Sequence, residues 1–434
     1  MGVDVPESAD TRFGGGARRP ASPVGLAAAL GSTGALVAAT VIGMVLAFAE
    51  KNPCRAGAWN SYASQFQRAC YTDIYPLYYG EGLSAGKVPY TGHPVEYPVL
   101  IGGAMQAAAW LVRNVSEAVR GREFFDVTVV LLAVCAVAGV LATARAAGPR
   151  GSQRRAQALM VALSPALILS AFVNWDLIAL AFTALGIAAW AARRGVWAGV
   201  LLGLGVATKF YPLVVFGPLL LLCLRAGRMR EFWTTLVGAV CAWAAVNVPV
   251  MLADFDGWSK FYRLSQDRGS GFSSIWFVLS QQGHAVPDDA LNVLAGGLFA
   301  VACLAIAVLG LSAERRPRLP QLVFLVVAAF LLTNKVYSPQ YSLWLLPLFA
   351  LTMPNLRRFV AFEITDVAVF VTRFWFFGTY TGVMALPQQW WFEVALGARA
   401  IVLIWCLVGW VRDERVPVSL TTANAQTPMP VLVT

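Results

Sequence analysis

The chain has 434 residues, 58% hydrophobic and 13% charged, with a formal net charge of +10. A soluble domain is nearer half apolar and a quarter charged, so this balance excludes a soluble globular enzyme, a disordered chain and a disulfide scaffold. The basic residues stand in twos and threes between long apolar runs, which argues against nucleic acid as a partner and for a polytopic helical membrane protein.

In chain order, residues 1–23 are polar and predicted to be a disordered cytoplasmic tail, as are 412–434. Between them, apolar runs lie near 24–48, 97–112, 124–146, 156–173, 177–192, 196–208, 212–224, 232–251, 290–312, 319–333, 340–353, 359–378 and 391–411. They do not alternate as barrel strands do. A span takes roughly 20 apolar residues, and arginine clusters mark the cytoplasmic side. Those clusters are Arg12/Arg18/Arg19, Arg145/Arg150/Arg154/Arg155, Arg193/Arg194, Arg225/Arg228/Arg230, Arg315/Arg316/Arg318, Arg357/Arg358 and Arg412/Arg415. They fall on one side only if the 97–112 run does not cross. The expectation is therefore an all-α bundle of about twelve spans filling 24–411, with both termini cytoplasmic. Its first outer segment, 49–123, would carry interfacial helices, and 252–288 would be a second outer loop. All five lysines (Lys51, Lys87, Lys209, Lys260, Lys335) then fall outside, and the inner face uses arginine only.

Of seven cysteines, Cys54 and Cys70 share the first outer segment, so a disulfide there is open. The other five sit in apolar runs and read as packing. The two histidines, His93 and His284, leave a His-based zinc site without ligands. No P-loop, GxSxG or strand-linked GxGxxG is present.

The polar residues collect at the predicted outer face. Asp73 heads the aromatic stretch Tyr75, Tyr78, Tyr79, Glu81. A carboxylate at a membrane boundary is desolvated on one side, which suits a general base; the plainer reading is a helix N-cap. Glu96 stands in Val95-Glu-Tyr-Pro98, including Tyr97, where a solvated loop carboxylate is the alternative. Asn174-Trp-Asp176 and Lys209-Phe-Tyr-Pro212, with Tyr211, close short outer turns; snorkelling explains the lysine as well as phosphate binding does. Asn334-Lys-Val-Tyr-Ser-Pro-Gln-Tyr341 brings Lys335, Tyr337, Gln340 and Tyr341 together, more polar chemistry than a bland turn needs. Arg373 and Arg399 lie inside the last two spans, where charges are costly and face wet cavities or partners. Asp366, two turns before Arg373, makes a structural pair the alternative to phosphate binding. The aromatics of 252–288 fit an interfacial belt or a substrate groove.

Asp-x-Tyr, then Gly-x-x-Pro-Tyr (Gly86 to Tyr90), Glu-Tyr-Pro (Glu96 to Pro98), Asn-Trp-Asp, Lys-Phe-Tyr-Pro and Lys-Val-Tyr-Ser-Pro-Gln-Tyr, in this order across residues 24–411, resemble the GT-C polytopic glycosyltransferases. More narrowly, they resemble the actinobacterial family 87 α-mannosyltransferases. Tyr97-Pro98-Val99 departs from the common Tyr-Pro-Pro. The resemblance implies inverting transfer of a sugar, mannose first, from a polyprenyl-phosphate donor to an envelope glycolipid or glycan at the outer face of the plasma membrane. The lipid donor is a substrate, and neither cofactor nor metal is expected. Asp73 would be the base, Lys209, Lys335 and Arg399 the phosphate contacts. Tyr75, Glu81, Glu96, Tyr97, Asn174, Asp176, Tyr211, Tyr337, Gln340 and Tyr341 would bind sugar and acceptor. The competing classes are a transporter or flippase of a lipid-linked solute, which predicts midplane charges and paired broken helices, and a non-catalytic membrane scaffold.

Overall fold

The computed structural model describes residues 23–150, 152–352, 355–385 and 390–415. The predicted tails fall outside this range, save Pro23 and residues 412–415. Among the described residues there are helices and loops and no strand. Five helices are long and apolar enough to cross a membrane: Thr33–Ala56, Glu117–Ala147, Met229–Ala253, Asp288–Ser312 and Trp390–Arg412. Their outward faces are apolar. Only 11% of the apolar window of Asp288–Ser312 is buried, and Val301 and Leu304 stand exposed. Such a face needs lipid as its solvent. Leu356–Tyr380 is as long but carries Glu363, Asp366 and Arg373.

Other expected runs are shorter or broken. The 156–173 run forms Leu159–Ala162 and Pro165–Ser170. The break falls where Ser164 caps the second piece and Pro165, which has no N–H to give the preceding turn, enters at its start. The 340–353 run is a tight 3-10 segment, Pro339–Leu345, followed by the wholly buried Leu346–Thr352. Val99–Leu111 has 13 residues, roughly 20 Å at helical rise, against about 30 Å of hydrocarbon. It begins where Leu100 donates to Ala207 O (3.1 Å). The following helix starts at the same end, with Gly121 against Tyr75 and Tyr79. Val99–Leu111 and Glu117–Ala147 thus both begin at the end that carries the Asp73 loop.

Close helix pairs form where glycine removes the side chain. Gly199 and Gly203 of Gly195–Val206 lie one turn apart against Met229–Ala253. A Cβ there would sit 2.0 Å from Thr235 O and 2.3 Å from Ala239 O. This is the small-xxx-small packing by which membrane helices approach without a hydrophobic drive.

The two ends of the bundle differ in chemistry. At one end, arginines close helix C-termini. Arg225 donates to Gly310 O (2.7 Å) and Ala313 O, Arg316 to Leu222 O and Arg318 to Leu351 O. Cations belong there because the last carbonyls are unpaired and carry the negative end of the helix dipole. At the other end, Cys54 and Cys70 are joined by a disulfide. It ties the end of the first long helix to the loop that precedes Asp73. Trp59 Nε1 donating to Cys70 O (3.1 Å) holds the same loop. The 252–288 segment is not an open loop: it folds into Phe255–Asp267 and Ile275–Gln281. Asp254 caps the first of these (Gly257 N, 2.8 Å) and also accepts from Gly92 N (3.0 Å), joining the two loop regions over this end.

Candidate active site

The disulfide end encloses a cavity of about 1110 Å³, the size of a site for a drug-sized or larger ligand. Asp73 lies on its wall. It occupies the N-cap position of Ile74–Gly80, yet its carboxylate makes no capping bond. The neighbouring Thr72 hydroxyl takes that role, accepting from Ile74 N (3.1 Å) while donating to Phe172 O (2.6 Å). Asp73 N donates to Val173 O (2.8 Å). The carboxylate is thus freed, and the loop is pinned to residues 172–174. Tyr71 Oη donates to Asp73 Oδ1, and Asn174 Nδ2 donates to Oδ2 (2.9 Å). Each oxygen keeps capacity to accept a further proton.

Asn174 relays this contact onward. Its amide also donates to Tyr97 Oη (2.7 Å), and its Oδ1 accepts from Trp175 N (2.7 Å) and, at 3.5 Å, from Lys209 Nζ. Lys209 Nζ stands 3.1 Å from Asp176 Oδ2 and 5.5 Å from the Tyr97 ring centroid. Asp176 is fully buried and accepts from Trp344 Nε1 (3.0 Å). Trp344 is sandwiched between Tyr211 (4.3 Å, 9°) and Tyr341 (4.1 Å, 20°). The Tyr341–Trp344 contact follows from local geometry, since residues three apart eclipse in a 3-10 turn. The three rings line the cavity together and form an aromatic stretch of its wall.

Of the residues singled out in the sequence, Asp73, Glu96, Tyr97, Asn174, Lys209, Tyr211, Lys335, Tyr337, Gln340 and Tyr341 line this one cavity. Lys335 donates to Gln266 O (2.8 Å). Burial pulls its ammonium below the usual lysine range, against the opposing pull of Asp288 and Asp267. Four residues do not line it. Tyr75 turns away to stack on Trp59 (5.0 Å) and Tyr79 (5.4 Å). Glu81 is buried behind the Glu96 loop, accepting from Glu96 N (3.2 Å) with His93 Nε2 at 4.0 Å; burial raises its carboxyl above the ordinary range. Asp176 stands behind Lys209 as its counter-ion.

Arg399 is the fourth. It pairs with Asp366 Oδ1 (3.1 Å), lies 3.7 Å from the Tyr337 ring centroid and is 2% exposed. The pairing expected within one helix, Asp366 with Arg373, does not form. Two turns separate them by roughly 10 Å along the axis, and Arg399 reaches Asp366 from the neighbouring helix. Arg373 is left on the cavity wall, donating to Ser273 Oγ (2.8 Å).

Sequence reasoning left Tyr71, Arg268 and Trp344 without a role. Trp344 was reachable through its i, i+3 spacing from Tyr341. Arg268, exposed at the end of Phe255–Asp267, carries no local signal that it borders this cavity. Among the described residues no group of three or more His, Cys, Asp or Glu could hold a metal ion.

No curated protein matches the chain. The model of glycosyltransferase family 87 matches residues 122–339. That segment supplies Asn174, Lys209, Tyr211, Lys335 and Tyr337 of the cavity wall, with Asp176 behind Lys209; Asp73, Glu96 and Arg373 lie outside it. With half of the chain matched and the matched half lining one walled cavity, the chain belongs to glycosyltransferase family 87.

Proposed function

We propose that the chain transfers a sugar, mannose first, with inversion, from a polyprenyl-phosphate donor to a glycolipid or glycan acceptor at the outer face of the plasma membrane. The observation that carries this reading is the Asp73 carboxylate, excused from helix capping and held at the cavity wall by Tyr71 and Asn174. In the reaction, an acceptor hydroxyl oxygen attacks the anomeric carbon as Asp73 takes its proton. The bond from that carbon to the phosphate oxygen breaks, and the polyprenyl phosphate leaves with the electron pair. One base and a cationic surface for the leaving group suffice. Tyr97, Tyr211, Tyr341 and Gln340 would hold sugar and acceptor, and Lys335 would face the phosphate. Lys209, with its charge already balanced by Asp176, would act through Asn174.

The orientation rests on the same grounds. A disulfide at the cavity end fits an oxidising exterior, and arginine-rich helix ends opposite it fit the cytoplasm. Twelve spans with both termini inside is the topology we propose for 24–411, the short apolar helices counting as spans within the bundle. A flippase would need its charged path at mid-depth, whereas Asp73, Glu96, Lys209 and Lys335 all sit on loops at one end.

Transfer of radiolabelled mannose from polyprenyl-phosphate mannose in proteoliposomes tests this. Asp73→Asn, inserted normally, should lose about 10²- to 10⁴-fold in rate. Full activity in that variant would remove the base, and absence of transfer by the unaltered chain from mannose, arabinose and glucose donors would remove the reading.

A further inference from the structure

The cations beside the cavity differ in what holds them, and Arg268 among them stands exposed to water. Lys209 has Asp176 at 3.1 Å. Arg399 has Asp366 at 3.1 Å. Lys335 donates to a carbonyl and feels Asp267 and Asp288. Arg373, toward the C-terminal end of Leu356–Tyr380, donates to the Ser273 hydroxyl and has no carboxylate within ion-pair distance among the described residues, feeling Asp73 only at longer range. An arginine inside a membrane helix is expensive unless it is compensated, and a hydroxyl compensates no charge.

The surroundings say what does. Arg373 lines the cavity between Phe370 and Phe374, with Phe377 under its guanidinium (5.1 Å to the ring centroid). Phe66, in the short helix Tyr62–Gln67, closes on Phe377 (5.9 Å). Tyr71 connects this apolar wall to the base: its ring is 6.0 Å from Phe374 and its hydroxyl donates to Asp73. A guanidinium with no carboxylate in contact, apolar rings around it and Asp73 linked through Tyr71 make a place for a lipid phosphate. The phosphate would meet the guanidinium and the chain would run along the phenylalanines.

We infer that Arg373 is the phosphate anchor of the lipid donor and that the Phe66, Phe370, Phe374 and Phe377 wall receives the first prenyl units. This rests on the polyprenyl-phosphate reading above. It also assigns the roles left over. The Lys209–Asp176 and Arg399–Asp366 pairs are fixed dipoles of the scaffold, and the Tyr211–Trp344–Tyr341 side is left for sugars. A guanidinium suits the task because it presents a planar fork to two phosphate oxygens and cannot lose its proton.

The test is binding, read apart from catalysis. Decaprenyl phosphate and decaprenol, the same chain without phosphate, are titrated against the purified full-length protein in nanodiscs. The unaltered protein should prefer the phosphate. Arg373→Gln should narrow that preference by roughly 10- to 100-fold, the worth of a charge-assisted contact, and Arg373→Lys should fall between. Asp73→Asn should keep it. Because Arg373→Gln can fail to fold, the unaltered protein is also labelled with phenylglyoxal: decaprenyl phosphate should protect Arg373, and decaprenol should not. A folded Arg373→Gln with undiminished preference, or labelling of Arg373 indifferent to the phosphate, overturns the inference. An unaltered protein that binds both lipids equally fails at the donor reading itself, which is a distinguishable result.

Discussion

Replacing Lys209 by methionine separates a structural lysine from a substrate contact. The Lys209–Asp176 pair is nearly out of water: Asp176 is 0% exposed, and the charges are 3.1 Å apart. At an effective dielectric near 20 their attraction is about 5 kcal/mol, most of it offset by the cost of burying two ions. Removing one partner strands the other. Asp176 would keep Trp344 Nε1 at 3.0 Å as a donor, which is too little for a buried carboxylate. Lys209→Met should therefore destabilise by about 3–5 kcal/mol. Lys209→Met/Asp176→Asn removes both charges and should recover much of that, giving a coupling of about 2 kcal/mol or more. Thermal unfolding in detergent, followed with a thiol-reactive dye that reports the release of buried Cys223 and Cys406, measures both variants. A Lys209→Met protein as stable as the parent, with lipid-donor affinity lost, would refute the counter-ion reasoning and return the lysine to the phosphate.

Other expectations follow from the same geometry. Gly203→Val should destabilise strongly, since even a Cβ would meet Ala239 O at 2.3 Å, whereas Gly296→Ala, with nothing within 4 Å, should be neutral or slightly stabilising; unfolding midpoints compare them. Cys54→Ser/Cys70→Ser opens a loop of sequence separation 16. It should cost about 3 kcal/mol and lower transfer through the Asp73 loop, and reductant should reproduce the stability loss in the parent but not in the variant. Glu81 is raised by burial, so the folded state holds its proton more tightly than the unfolded one. Its contribution to stability is present below about pH 4.5 and is lost as pH rises through the raised folded-state value. Glu81→Gln should flatten that fall in a series of unfolding midpoints against pH, and an unchanged slope would show that another group is responsible.

The sequence carried the class of molecule and many of the polar residues that line the cavity. Loops that turn at one end of a bundle bring their residues near one another wherever the helices pack, so Asp73, Glu96, Asn174, Lys209 and the Lys335–Tyr341 turn could be gathered from order and sidedness alone. Depth within the helices was less legible. Arg373 and Arg399 have the same chemistry, and both stand in apolar runs near a polar face. Helical periodicity says which residues share a stripe, but not which neighbouring helix the stripe meets. Only the packing of Leu356–Tyr380 against Trp390–Arg415 gives Asp366 to Arg399 and leaves Arg373 on the cavity wall.

Span lengths divide in the same way. Hydropathy alone determined that this chain lives in lipid, because that free energy is summed residue by residue and needs no partner. It could not distinguish a lipid-facing helix such as Asp288–Ser312 from a buried broken one such as Pro339–Thr352, since lipid and protein core are equally apolar. The same holds at Asp73: an aspartate before a helix reads as a cap by propensity. Thr72, placed by its bond to Phe172 O, does the capping and frees the carboxylate for the cavity. Composition decides the solvent a segment prefers; which polar atom is already satisfied, and which remains for chemistry, is decided by its neighbours in three dimensions.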